Sequence, residues 1–449
     1  MDDSRASSPP RAIALDLYRA MAVMLVVIGH WLLSVMTYRN GEFGRDNPLV
    51  LMPWTQWLTW FFQVVPVFFA VAGYASAVSW ARLRADDARS RQDWIRRRVA
   101  RTLGPTAIYA VFVLAVITVL MLAGVDGTVL ELGGWAVAMH LWFLAVYLMV
   151  VALTPVAVAA HRRWGLAVPA VLAACVIVVD AAGIGTGHPE IRMANYFFCW
   201  AAIYQLGIAW HGGRLGKRLL VAMAVVAAIA LPLLVTWGPY PIAMIGVPGV
   251  RVENSAPPSV ALLALGSVQI GLLFAVVPAL NRALARGRWP RVISTANNNV
   301  MALYLWHMMP VIVVTLVGYP TGLLPQPPLG TGAWWLARLE WELVLAIVTV
   351  VLLSFLSWQR RLFASPIPTF ATPLRDNIAM ATLYVGTAAC ALSLGLISAG
   401  GFAPDGRPPL VAVALLFGGA LLVAIRPRHG ATDSSSGSSA PADPKGTAA

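Results

Sequence analysis

Residues 11–34 read RAIALDLYRAMAVMLVVIGHWLLS. At 1.5 Å per residue this mostly apolar stretch is long enough to cross a hydrocarbon core about 30 Å thick. Asp16, Arg19 and His30 interrupt it. Ionisable groups at membrane depth are costly, so each needs a partner, a water-filled cavity or a task. At about 100° per residue, with Asp16 at 0°, Arg19 falls at about −60°, His30 at about −40° and Ser34 again at about 0°. The four side chains form one narrow stripe, which must face the interior of a helix bundle. Asp16 and Arg19 stand three apart and are spaced to pair along the helix. Asp16 lies about 21 Å of rise from His30. It therefore cannot orient that imidazole as a triad carboxylate would, and any orienting group must come from another helix.

The rest of the chain continues this pattern. Of its 449 residues 59% are hydrophobic and 11% charged, and mean hydropathy is +0.74. Soluble domains are about 45–50% apolar and about 25% charged. The composition excludes a soluble globular enzyme, a disordered protein and a nucleic-acid-binding module. The expected fold is an all-α polytopic membrane protein. Its twelve spans are expected at 12–36, 55–80, 103–123, 136–160, 165–182, 195–211, 219–237, 258–281, 293–318, 336–357, 379–398 and 409–425.

The net charge of +13 follows from topology. With the N-terminus inside, the outer loops and outer helix ends hold Arg39, Arg45, Arg192, Arg251, Arg338 and Arg407. Every other Lys and Arg except Arg19 falls in an inner segment, as positive-inside bias requires. Both termini are therefore expected in the cytoplasm of a cell membrane protein. The first span carries charge and lacks a small-x-small site, so it reads as an uncleaved anchor. Cys175, Cys199 and Cys390 show no regular spacing and imply neither a disulfide framework nor a zinc site.

The organisation expected is a cytoplasmic segment at 1–11, a ten-helix membrane domain at 12–357 and a cytoplasmic loop at 358–378. An additional helix pair at 379–425 and a tail at 426–449 follow. The tail is rich in Ser, Ala, Pro and Gly and has nothing to bury, so disorder is expected. The Gly- and Pro-rich outer loops 238–257 and 319–335 either cover a site or simply connect helices, the connector being the simpler reading. No internal repeat points to a transporter's inverted halves.

Two further histidines share the depth of His30. His140 stands in MHLWFL and His307 in LYLWHMMP. Three imidazoles at similar depth suggest a polar chamber open outward; the simpler reading of each is an interhelical hydrogen bond. A second feature is the inner loop ARLRADDARSRQDWIRRRVART, where Arg96, Arg97, Arg98 and Arg101 crowd the start of the third span. Topology alone accounts for one or two of these, while a run this dense also suits phosphate, whose oxygens match the arginine fork. Asn297, Asn298 and Asn299 open the ninth span and either cap the helix or line the pocket. There is no GxSxG elbow and no HxxxxD motif. GGRLGK at 212–217 has the wrong spacing for a phosphate loop.

These residues together resemble the acyltransferase family 3 membrane proteins, the group that includes O-antigen and peptidoglycan O-acetyltransferases. Arg19 and His30 form R-x10-H after LDLYR. PVFFAVAGYASA (66–77), RRRVARTLGP (96–105), HLWFL (140–144) and LYLWH (303–307) follow in the family's order. Ala72 and Tyr74 depart mildly from the usual Ser and Phe. The resemblance covers about residues 11–357 and leaves the last two spans outside, with packing or stability as their default role.

The resemblance implies that His30 is the catalytic histidine and Arg19 the essential arginine of its helix. It implies that Arg98 and Arg101, with neighbouring Arg97, help hold an acyl-CoA donor, acetyl-CoA first. Asp16, Ser34, His140, Trp142, Asn298, Tyr304 and His307 are expected around the substrate. The reaction implied is transfer of an acyl group to a hydroxyl of an extracytoplasmic or lipid-linked carbohydrate, with no metal and no nucleic-acid partner. Histidine suits general-base work because its pKa lies near neutral pH, and a covalent acyl-imidazole is the alternative. A secondary transporter, an exporter of acylated glycans and a haem protein with paired histidine ligands are the competing readings. Neither the acceptor nor the oligomeric state can be read from the sequence.

Overall fold

A computed structural model describes residues 12–83 and 88–427. The segment 1–11 lies outside the described residues, as does the tail expected to be disordered from its residue 428 onward; its first two residues, 426 and 427, instead end a short strand, Ile425–Pro427, paired with Phe370–Thr372. The fold is all-helical apart from short strands. Among the described residues nine helices are long and apolar enough to cross a membrane, or ten if one bent pair is a single span. The chain is a multi-pass membrane protein.

The first helix, α1 (Ile13–Leu33), has no side-chain cap of its own. Its Ala14 N–H donates instead to Asn281 Oδ1, 2.8 Å away on a distant helix. Beyond it strands β1 (Val35–Arg39) and β2 (Glu42–Asp46) form an antiparallel hairpin. Its turn residues Asn40 and Gly41 both have positive φ, as a two-residue hairpin turn demands. A broken helical stretch then leads into α2 (Val65–Ala81).

Next comes α3 (Ala88–Leu122), and here the structure corrects the sequence reading. The expected loop before residue 103 is helical from residue 88, so the arginine run lies on a helix. At 35 residues α3 is about 52 Å long, well beyond a hydrocarbon core. Hydropathy detects only its apolar half. The polar half is helical because Arg, Ala and Gln are good helix formers.

The expected fourth span, 136–160, is divided. It comprises α4 (Gly127–Ala136), a 3-10 turn at Met139–Leu141, α5 (Trp142–Ala152) and α6 (Thr154–Trp164). Pro155, in the first turn of α6, cannot continue α5, so a new helix starts there. The backbone then continues through α7 (Ala167–Thr186), α8 (Asn195–His211), α9 (Lys217–Thr236) and α10 (Val260–Leu284). The expected ninth span is likewise broken, into α11 (Trp289–Trp306) and α12 (Met308–Gly318), bent by 53°. Pro310 explains the bend, since it has no N–H for the carbonyl of Trp306. After α13 (Gly332–Trp358) come the two further helices α14 (Asp376–Gly400) and α15 (Leu410–Ala424). Helices stand at all twelve expected places. α8 with 17 residues and α15 with 15 are short for a membrane crossing, and α2, also 17, is long enough only with the helical stretch from Pro53 that precedes it.

Two buried clusters fill the bundle. One gathers α3, α5 and α11 to α15, and the other α2 and α7 to α10. α1 lies between them, giving Val23, Val27 and Trp31 to the first and Ala14, Leu15 and Tyr18 to the second. α2 and α8 meet closely because Gly73 and Gly207 face each other's backbone, where a Cβ would strike Tyr204 or Ala70.

The loop between α9 and α10 is tied down by a buried ion pair. Asp180, fully buried, accepts from Arg192 Nε at 2.8 Å, from Tyr240 Oη at 3.0 Å and from the Val260 N–H at 2.8 Å. The added pair α14 and α15 is part of the same body. Phe402 N donates to the Gly134 carbonyl at 3.2 Å, and Tyr384 Oη to that of Ala152 at 3.3 Å.

Candidate active site

Two helix breaks set the centre of the site. A broken helix at membrane depth frees backbone carbonyls that have no water to bind. Here three side chains satisfy them. Tyr109 Oη donates to Val137 O at 2.7 Å, Tyr304 Oη to His140 O at 2.5 Å, and Trp31 Nε1 to His307 O at 2.8 Å. Each break carries a histidine; that of the second meets α1, and that of the first packs on it. His30 Nδ1 lies 2.8 Å from His307 Nε2, with the rings stacked at 5.1 Å. The His140 ring lies edge-on to His307 at 4.9 Å. His140 and His307 are 2% and 1% exposed, whereas His30 is half-buried. Neither ring nitrogen of His140 has a hydrogen bond of good geometry.

One cavity of about 1410 Å³ joins these groups to the arginines. Arg19 and Ser34 both line it, fifteen residues apart on α1 and so about 22 Å along its axis. Arg98 and Arg101 of α3 line the end near Arg19; His30, His140, Trp142 and Tyr304 line the middle. Asp46, Asn47 and Glu253 line the end beyond Ser34, so the loop expected as a connector walls the cavity. Burial pushes the Glu253 carboxyl above its usual range, against the smaller opposing pull of Arg192.

At the Arg19 end the stripe of α1 finds its partners. Arg19 lies 3.9 Å from Asp16 and donates through Nε to Asn297 Oδ1 at 2.6 Å. Asn297 Nδ2 returns to the Asp16 carbonyl at 2.8 Å. The asparagine at the cavity is therefore Asn297. Asn298, the residue expected there, is exposed and outside the cavity wall, because one residue along a helix turns a side chain by about 100°. Ser34 donates back to the His30 carbonyl at 2.7 Å.

The arginine run also separates by helical angle. Arg96 is buried, 3.5 Å from Asp93, and bonds the Val423 carbonyl of α15 at 3.2 Å. Arg97 is exposed and lies off the cavity wall, contrary to its expected place beside the donor. Arg98 and Arg101, three apart, share the cavity face. Arg98 is engaged by α2, reaching Ser79 Oγ at 2.7 Å, Ser76 Oγ at 3.1 Å and the Ala75 carbonyl at 3.2 Å. Its guanidinium also lies over Trp94. Arg101 is exposed to the cavity. Among the described residues no group of three or more His, Cys, Asp or Glu is placed to hold a metal.

The sequence does not single out Tyr109 or Trp31, and it offers Asn297 only as one of three asparagines. Pro310, three residues after His307, was the available signal for the second break. Nothing local marks Tyr109 as the partner of a carbonyl on another helix.

The family model described as an acyltransferase domain matches residues 13–359, which include both helix breaks, the R-x10-H helix and the arginine face of α3. No curated protein and no solved structure matches the chain. Residues 13–359 make up most of the chain, and it belongs to acyltransferase family 3.

Proposed function

We propose that this protein moves an acyl group, acetyl first, from cytosolic acyl-CoA to a hydroxyl of an extracytoplasmic or lipid-linked carbohydrate. The observation that carries the reading is the single cavity lined by Arg19, Arg98 and Arg101 at one end and by His30 in the middle. The topology proposed is twelve crossings with both termini in the cytoplasm, which puts the arginine end inside.

In this reading Arg101 takes the phosphates of the donor. Arg98, largely occupied by α2, shapes that wall and adds charge. The extended pantetheine arm passes Arg19 and brings the thioester to His30. The acceptor arrives from the end walled by Asp46 and Glu253. Neutral His30 then removes the hydroxyl proton as the oxygen attacks, a step general-base catalysis accelerates by about 10²–10⁴-fold. Attack by His30 itself, giving an acyl-imidazole, is the alternative. No observation favours a transporter or an exporter.

The test is replacement of His30 with Ala. Purified protein then loses acetyl-CoA consumption, and cells lose one acyl mass from a glycan or lipid species, while folded protein remains in the membrane. Transfer at the native rate refutes the reading.

A further inference from the structure

We propose that His307 is a positioning residue which fixes the tautomer of His30, so that His30 presents a bare Nε2 to the cavity. The inference rests on the acyl-transfer reading above and supplies the orienting group that Asp16 is too distant to be.

The argument is a count of protons. His307 Nδ1 lies 2.8 Å from the Tyr304 carbonyl oxygen. A carbonyl only accepts, so Nδ1 carries a proton. A neutral imidazole has one N–H, which leaves His307 Nε2 with a lone pair. That nitrogen lies 2.8 Å from His30 Nδ1, so His30 Nδ1 is the donor. The proton of neutral His30 is thereby assigned to Nδ1, and Nε2 is the basic atom. It has no hydrogen-bond partner among the described residues, and His30 lines the cavity while His307 is almost fully enclosed.

The opposite tautomer needs a second proton on His307. The titratable groups that face the pair are His140 and Tyr304, with Tyr109 behind His140. None is a carboxylate, so nothing beside His307 compensates an imidazolium there. The chain Tyr304 carbonyl, His307, His30 thus does with neutral groups what a buried aspartate does for a triad histidine.

The step balances. His30 Nε2 takes the acceptor's hydroxyl proton as the oxygen bonds to the thioester carbonyl carbon. The tetrahedral adduct collapses, the carbon–sulfur bond breaks, and the proton on Nε2 passes to the departing sulfur. His30 Nδ1–H remains bonded to His307 throughout, so the ring does not turn between the two proton transfers.

The experiment is ¹⁵N NMR on histidine-labelled native protein in nanodiscs, with His30 assigned by its loss in His30→Gln. Both His30 and His307 are expected with protonated Nδ1 and bare Nε2. A His30 protonated on Nε2 overturns the proposal while leaving acyl transfer untouched. Native protein that consumes no acetyl-CoA instead overturns the reading beneath it.

Kinetics give a second arm. His307→Leu removes the acceptor and His307→Gln restores one. The Leu variant is expected to lose about 100-fold in kcat for acetyl-CoA consumption, with KM for acetyl-CoA within about twofold, and the Gln variant to recover at least about tenfold of that loss. Equal rates for the two variants, both folded by thermal unfolding, overturn the positioning role.

Discussion

The hydroxyl of Tyr304 holds the backbone carbonyl of His140 at 2.5 Å, joining the two broken helices of the site. Without it that carbonyl keeps only the backbone N–H of Trp142. Losing one such buried hydrogen bond costs about 0.5–1.5 kcal/mol net. Tyr304→Phe is expected to lower thermal stability by that amount. It also frees the His140 turn, so acyl transfer falls by about tenfold, with 1.36 kcal/mol of barrier giving that factor. Thermal unfolding and acetyl-CoA turnover on one preparation check both effects.

The division of the arginine run gives a contrast within one helix. Arg101 faces the cavity and Arg97 does not. Arg101→Gln is expected to raise KM for acetyl-CoA by about tenfold, the value of one charge-assisted hydrogen bond of about 1.5 kcal/mol. Arg97→Gln leaves it unchanged. Equal effects from the two substitutions would return the cluster to a purely topological role.

Residues beyond the family-matched region brace the site. Phe402, fully buried, packs edge-on to Tyr109 at 6.2 Å, and Tyr109 in turn holds the Val137 carbonyl. Phe402→Ala is expected to cost about 3–5 kcal/mol, read as lower thermal stability. Acetyl-CoA consumption falls with it, because the segment carrying His140 loses its support. Phe402→Leu keeps most of the volume and most of the activity.

Glu253 gives a pH signature. Burial raises its folded pKa above the unfolded value of about 4.3. A raised carboxyl contributes stability that is complete below the unfolded pKa and is lost as pH rises through the folded one. Glu253→Gln does not undergo that loss. The variant is therefore expected to melt with the native chain at about pH 4 and above it at about pH 8. Thermal unfolding of both proteins at the two values is the measurement.

Much of this was legible in the residues. The stripe of Asp16, Arg19, His30 and Ser34 follows from helical angle and from the cost of charge in hydrocarbon. Both need only the order of residues. The places of the helices follow from apolar runs for the same reason. The bends at His140 and His307 were less visible, since hydropathy does not register a break inside an apolar run. The helical extension before residue 103 was missed because polar helix and polar loop have similar composition.

What the order of residues determined is therefore a membrane bundle, one helix with a buried polar face, and three histidines at a common depth. The tertiary structure decided which side chains meet: His307 with His30, Asn297 and not Asn298 with Arg19, Arg101 and not Arg97 with the cavity, Asp180 with Arg192. The physical reason is geometric. A side chain's depth follows from its position along a helix. Its partner depends on rotations and bends set by distant packing, and a turn of about 100° or a single proline redirects it entirely.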